Sequence, residues 1–193
     1  MASVASTSAY EIRVTLMHIR PEIWRLIRVP SDIRMDRLHD VLQVAFGWTD
    51  SHLHQFHVID AKGGTKAYVG RPNPDFAGST PTQDETKRLL TNFLAKPGDR
   101  LGYEYDFGDG WIHEVKLEAV HVQSARLTTP LCLDGAQACP PEDCGGPPGF
   151  ARVLDAFANP KRADKELAEW VGDYDPAAFD LTAVNRMLGK RRI

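Results

Sequence analysis

Three short segments concentrate the residue types that can do chemistry. In residues 105–113 (YDFGDGWIH), Asp106, Asp109 and His113 crowd what reads as the end of a hairpin. A carboxylate beside an imidazole can exchange protons or hold a divalent metal. The structural alternative is a turn: Asp109 between two glycines suits a tight reversal, and His113 then packs as a partly buried aromatic under Tyr105. In residues 52–57 (HLHQFH), His52 and His54 point the same way if the segment is a strand, so both imidazoles could meet one metal while His57 points away. Packing, or a pH-sensitive surface patch, is the competing role. The third segment, residues 132–146, holds all three cysteines, Cys132, Cys139 and Cys144, separated by six and four residues. Neither gap is the two-residue knuckle of a zinc ribbon. The run PPEDCGG is therefore expected to act through its shape. Two prolines stiffen it, Glu142 and Asp143 present charge, and Gly145-Gly146 permits a sharp turn into a helix near Pro148. A rigid acidic loop of this kind could also serve as a docking surface.

The elements that must position these residues are legible from periodicity. Tyr10, Ile12, Val14 and Leu16 alternate with polar residues, the signature of a half-buried strand, and residues 23–29 (IWRLIRV) form a second strand after a turn at Pro21-Glu22. From Met35 the apolar positions are Met35, Leu38, Leu42 and Ala45, which predicts a helix with Ser31 or Asp32 as cap and Gly47 as stop. A strand over 51–59 follows, then a loop over 62–81 without periodicity, a short helix around 87–94, and strands over 100–107 and 111–122. A three-residue loop, 108–110, would pair Phe107 with Trp111, Tyr105 with His113, Tyr103 with Val115 and Leu101 with Leu117. It would also place Gly110 in the left-handed region, Arg100 opposite Glu118, and Glu104 opposite Glu114. Apolar stripes beginning at Phe150, Leu167 and Leu181 predict a helical C-terminal part, with starts at Asp175-Pro176 and Asp180. Strands first and helices later indicate an α+β fold: an antiparallel sheet built from hairpins, with one helix between the N-terminal strands and the C-terminal helices packed on or beside the sheet. The expected layout is a frayed tail over 1–9 and a single domain over 10–193, with its sheet part at 10–122 and its loop and helical part at 123–193.

Composition bounds the function. The chain has 193 residues, 42% of them hydrophobic and 25% charged, with a formal net charge of −3. About 70% of the surface of such a chain is buried on folding, so no disulfide or metal is needed for a core. No apolar run approaches the span of a membrane, no secretory leader is visible, and three cysteines are not a disulfide framework; a cytoplasmic protein is expected. Six arginines and no lysine lie between Arg13 and Arg37, but Glu11, Glu22, Asp32 and Asp36 are interleaved with them. A salt-bridged outer sheet face accounts for this pattern better than a phosphate-contacting stripe, so nucleic-acid binding should be weak. There is no phosphate-binding loop, dinucleotide fingerprint, nucleophile elbow or HExxH.

Four blocks, PEIWRLIRVP, LHDVLQVAFGW with HLHQF, YEYDFGDGWIHEVKLE and CLDGAQACPPEDCGGPPGF, together resemble the plasmid pRiA4b ORF-3-like family, also met as a passenger protein of insertion elements. The resemblance runs from about Tyr10 to Leu188. It implies an intracellular α+β domain of bacteria and their mobile elements, and no established activity. Positions of the family pattern include Trp24, His39, Trp48, His54, Phe56, Asp106, Asp109, Trp111, His113, Pro141, Glu142, Asp143 and Gly146. The leading expectation is a non-enzymatic binding module that holds a protein or small-molecule ligand through His54, Phe56, Tyr105, Asp106, Asp109, Trp111, His113, Glu142 and Asp143. The rival is a metal-dependent hydrolase built from Asp106, Asp109 and His113 with His52 or His54. A nucleic-acid accessory protein is the third reading. No cofactor is expected under the leading one; zinc or another divalent metal, held by His52 and His54 or by the cysteines, is the alternative.

Overall fold

The computed structural model describes residues 7–60, 63–72, 82–161, 164–191 and 193. Its centre is one sheet of eight strands: β1 (Thr7–Leu16), β2 (Trp24–Pro30), β3 (His54–Ile59), β4 (Thr65–Gly70), β5 (Thr82–Asp84), β6 (Arg100–Tyr105), β7 (Trp111–Gln123) and β8 (Leu131–Ala136). Their spatial order is β5-β4-β3-β6-β7-β1-β2-β8, and every pairing is antiparallel except β4 with β5. Helix α1 (Met35–Phe46) lies between β2 and β3 in the chain, and α2 (Gly146–Ala158), α3 (Lys165–Val171) and α4 (Leu181–Leu188) follow the last strand. The fold is α+β, and of the four α-helices among the described residues three lie at the C-terminal end.

Alternation in the strands decides where the core sits. Ile12, Val14 and Leu16 of β1, Tyr103 and Tyr105 of β6, and Trp111, His113, Val115 and Leu117 of β7 are all essentially inaccessible. The stripe Met35, Leu38, Leu42 and Ala45 joins them in one apolar cluster with Phe150 and Val153 of α2. The opposite sheet face carries the charged residues, in pairs such as Arg28 with Glu11 at 2.9 Å and Arg100 with Glu114 at 3.1 Å. No helix among the described residues is long and apolar enough to cross a membrane.

The structure corrects several local expectations. The central hairpin pairs Tyr105 with Trp111, Tyr103 with His113 and Leu101 with Val115, so Phe107 is outside the strand and the loop runs over 106–110. Arg100 stands opposite Lys116, and Glu104 opposite Ile112, not Glu114. The cause is Asp106, which turns left-handed at φ 56° and whose Oδ1 accepts from the amides of Gly108 (2.9 Å) and Asp109 (3.3 Å). Its side chain thus builds a local turn that takes residues 106 and 107 into the loop and shifts the pairing register by two residues. Gly110 is left-handed as expected, at φ 69°.

At the start of α1 neither Ser31 nor Asp32 is the cap. Met35 N–H donates to the Arg88 carbonyl at 3.0 Å, because Arg34 forms a β-bridge with Leu89, and a backbone acceptor replaces the side chain. Ser31 bonds Ser8, and Asp32 pairs with Arg126. Gly47 closes the helix at φ 89°.

The expected loop over 62–81 contains β4, a half-buried strand; residues 62 and 73–81 lie outside the described residues. The expected helix around 87–94 is two 3-10 turns, Glu85–Lys87 and Leu90–Asn92. Strand β8 lies in the segment expected to be loop, β1 already begins at Thr7, and α2 starts at Gly146, two residues before Pro148. Asp180 caps α4, whereas Asp175-Pro176 starts no helix.

Candidate functional site

Three distant segments meet at the Asp106 turn. The hairpin loop supplies Asp106 and Asp109, the turn before β3 supplies His52, and the PPEDCGG loop supplies Glu142 and Asp143. Trp48 Nε1 donates to the Pro140 carbonyl at 3.2 Å, Tyr174 donates to the Cys139 carbonyl at 3.1 Å, and Gly145 N–H donates to Asp109 Oδ2 at 3.1 Å. The acidic loop is thereby fixed onto the hairpin end. Glu142 Oε1 accepts three bonds, from Thr49 N–H (2.9 Å), the Thr49 hydroxyl (3.1 Å) and the Tyr105 hydroxyl (3.0 Å). Burial, and then this carboxylate, push the Tyr105 phenol upward, so it remains a donor.

Among the described residues His52 Nε2 is buried without a hydrogen-bond partner, and so is Glu142 Oε2. The imidazole nitrogen lies 3.2 Å from Asp143 Oδ1, 3.6 Å from Asp106 Oδ2 and 3.8 Å from Glu142 Oε2. Donor atoms of His52, Asp106 and Asp143 all fall within 4.8 Å of one another. Ligands at about 2.1 Å around a tetrahedral ion stand about 3.4 Å apart, so these spacings fit one shared cation. One imidazole nitrogen with carboxylate oxygens suits Zn²⁺, Mn²⁺ or Fe²⁺. Asp106 and Asp143 both hold φ 56°, a conformation aspartate tolerates better than most residues.

A second metal-spaced group, His39, Asp50 and His54, lies beside the first and is tied together by hydrogen bonds and ring stacking. His54 Nε2 meets Glu85 Oε2 at 2.7 Å, and its ring stacks on His39 with centroids 3.4 Å apart and planes within 4°. His39 in turn contacts Asp50 Oδ1 at 2.9 Å and the Tyr103 hydroxyl at 2.8 Å. Lone pairs lie in the ring plane, so two parallel stacked imidazoles do not converge on one ion. Burial first, and the neighbouring His54 second, lower the His39 pKa to about 4.

The other sequence candidates are dispersed. His52 precedes the strand that was expected to align it with His54, so the two imidazoles serve different clusters. Phe56, Trp111 and His113 are core residues. His113 shares no hydrogen bond or ion pair with Asp106 or Asp109 among the described residues; its Nδ1 faces the Tyr103 carbonyl at 3.2 Å. The hydrolase constellation of Asp106, Asp109 and His113 is therefore not assembled. Burial raises the thiol pKa of Cys132 to about 11 and of Cys144 to about 12, and pushes that of Cys139 well above its ordinary value; no cysteine joins a metal-spaced group among the described residues. Sequence reasoning missed Asp50, Glu85 and Arg71, isolated polar residues in segments without periodicity.

The family model described as plasmid pRiA4b ORF-3-like protein matches residues 8–183. The chain belongs to the plasmid pRiA4b ORF-3-like family. Within it, the chain is 37% identical over 182 residues to the uncharacterized protein y4hQ of Sinorhizobium fredii (strain NBRC 101917 / NGR234), covering 93% of this chain and 90% of that one. It is also similar to the crystal structure of MM3350, a protein of unknown function from Methanosarcina mazei Go1. The TM-score is 0.79 at 29% identity, over 93% of this chain and 98% of the other. The pRiA4b ORF-3-like resemblance read from the sequence blocks is thus matched over most of the chain.

Proposed function

We propose that this pRiA4b ORF-3-like chain is a binding module whose primary ligand is a divalent cation, held by His52, Asp106 and Asp143 with Glu142 beside them. The observation that carries the reading is the buried His52 Nε2, without a hydrogen-bond partner among the described residues and faced by three carboxylate oxygens from two other segments of the chain. An imidazole nitrogen buried without a partner loses about 1–3 kcal/mol of hydration, and a cation between it and the acids returns that interaction. The same cation neutralises charges that otherwise repel. This keeps the expected hairpin end and acidic loop as the binding surface and gives them a ligand of stated chemistry.

Metal content and calorimetry on tag-free protein test it. One Zn²⁺ or Mn²⁺ should bind per chain, and His52→Ala and Asp106→Asn should each abolish binding, whereas Cys144→Ser should leave it unchanged. Wild-type affinity in His52→Ala, or loss of metal in Cys144→Ser, would overturn the assignment.

A further inference from the structure

His52 also lines a cleft of about 320 Å³, together with Leu53, His54, Arg71, Thr82 and Phe107. That volume suits a small organic molecule. Leu53 and Phe107 give it apolar walls and are about half exposed, at 52% and 47%. Its cation is Arg71, whose Nε donates to Glu85 Oε1 at 3.3 Å while the side chain stays 71% exposed. Glu85, almost wholly buried, is also engaged by His54 through its other oxygen. The guanidinium is therefore tethered at one edge by a buried acid while most of the side chain stays exposed at the lining of the cleft, where its remaining donors suit a carboxylate or phosphate.

We propose that the cleft binds a small organic anion with an apolar body. Its carboxylate or phosphate head is met by Arg71 and by the cation at His52, and its body lies against Leu53 and Phe107. The inference rests on the divalent-cation reading, because without the ion Asp106, Glu142 and Asp143 would repel such a ligand.

Benzoate and phenyl phosphate are suitable probes, with benzyl alcohol and benzylamine as neutral and cationic controls. Each is titrated by calorimetry into the full chain with and without saturating Mn²⁺, whose own binding is measured first. Both anions should bind the Mn²⁺-loaded chain, and chelation should weaken them. Arg71→Gln should weaken them at least about tenfold with Mn²⁺ affinity unchanged, as expected for a lost charge-assisted hydrogen bond. Arg71→Lys, which keeps a cation for Glu85, should lie between; unaltered Mn²⁺ binding in both variants reports an intact fold. Anion affinity equal to wild type in Arg71→Gln, equal binding of benzyl alcohol, or preferential binding of benzylamine would overturn the proposal. If the wild type binds no Mn²⁺, the cation reading fails by itself. Arg71-dependent anion binding to that metal-free chain would still support the cleft, and its absence would end both.

Discussion

His113 shows how burial turns an ionisable side chain into a packing group. Its ring meets Phe46, Trp48 and Tyr103 with centroids 4.9–5.3 Å away, its Nδ1 faces the Tyr103 carbonyl, and its Nε2 has no hydrogen-bond partner among the described residues. Adding a proton would place a charge and a second donor where no acceptor stands, and burial accordingly lowers its pKa to about 4. His39 is lowered to about the same value. Both folded-state values lie below the unfolded value of about 6.5, so the unfolded chain binds more protons between these limits and stability rises with pH. The stability is fully present above about pH 6.5 and is lost progressively as pH falls toward 4. Each histidine contributes a slope of up to about 1.4 kcal/mol per pH unit. Urea unfolding between pH 7 and 5, above most carboxylate titration, should therefore show falling stability. His113→Phe, which fits an aromatic pocket, should roughly halve the slope. An unchanged slope in that variant would mean that His113 does not titrate on unfolding.

At the scale of elements, what could be read from the sequence depended on how much of the signal was side-chain periodicity. β1, β7 and α1 alternate or repeat cleanly, and pattern alone names most of their buried residues; β2 reads as a strand from composition, but its inward positions include Arg25. The hairpin register was not legible, because it turns on the backbone conformation of Asp106 and not on the faces of the strands. β8 was hidden for another reason: of its six residues only Cys132 is buried. β4 has Ala67 and Val69 buried but sits among glycines and prolines that read as loop.

The loop that joins β8 to α2 is constrained more by glycine than by cysteine. Gly146 has φ 67°, and a Cβ there would come 2.5 Å from the Asp109 carbonyl oxygen, so any side chain would push the acidic loop off the hairpin end. Cys144 is a small buried thiol, kept protonated by burial. Cys144→Ser should lower stability by only about 1 kcal/mol, and Gly146→Val by about 3 kcal/mol or more. Thermal melts of the two variants check the order. A tolerated Gly146→Val with an unfolded Cys144→Ser would reverse the roles assigned to these residues.

Across the whole molecule, the cation site was legible as parts and not as a set: His52, Asp106 and Asp143 were each singled out, but only folding brings 52, 106 and 143 together. In the arginine stripe local sequence carries more of the answer: the interleaved Glu11, Glu22 and Asp36 pair within it, whereas Asp32 turns to Arg126. Glu22 lies 3.4 Å from both Arg13 and Arg20, Glu11 2.9 Å from Arg28, Asp36 2.7 Å from Arg34, and Asp40 3.0 Å from Arg37. The sixth, Arg25, is buried and donates to the carbonyls of Ala45, Ala136 and Gln137, where it ties β2 to the end of α1 and to β8. Each of the six thus already faces an acid or a carbonyl, and a phosphate would have to displace that partner. Few counterions are then released when DNA meets this face, so the dependence of affinity on salt should be shallow and the affinity low. Fluorescence anisotropy with duplex and single-stranded DNA between about 50 and 200 mM salt should show weak binding without sequence preference. A complex that persists at the upper end of that range and discriminates between sequences would mean that these ion pairs open for a nucleic acid, and the outer sheet face would then have to be read as an interface.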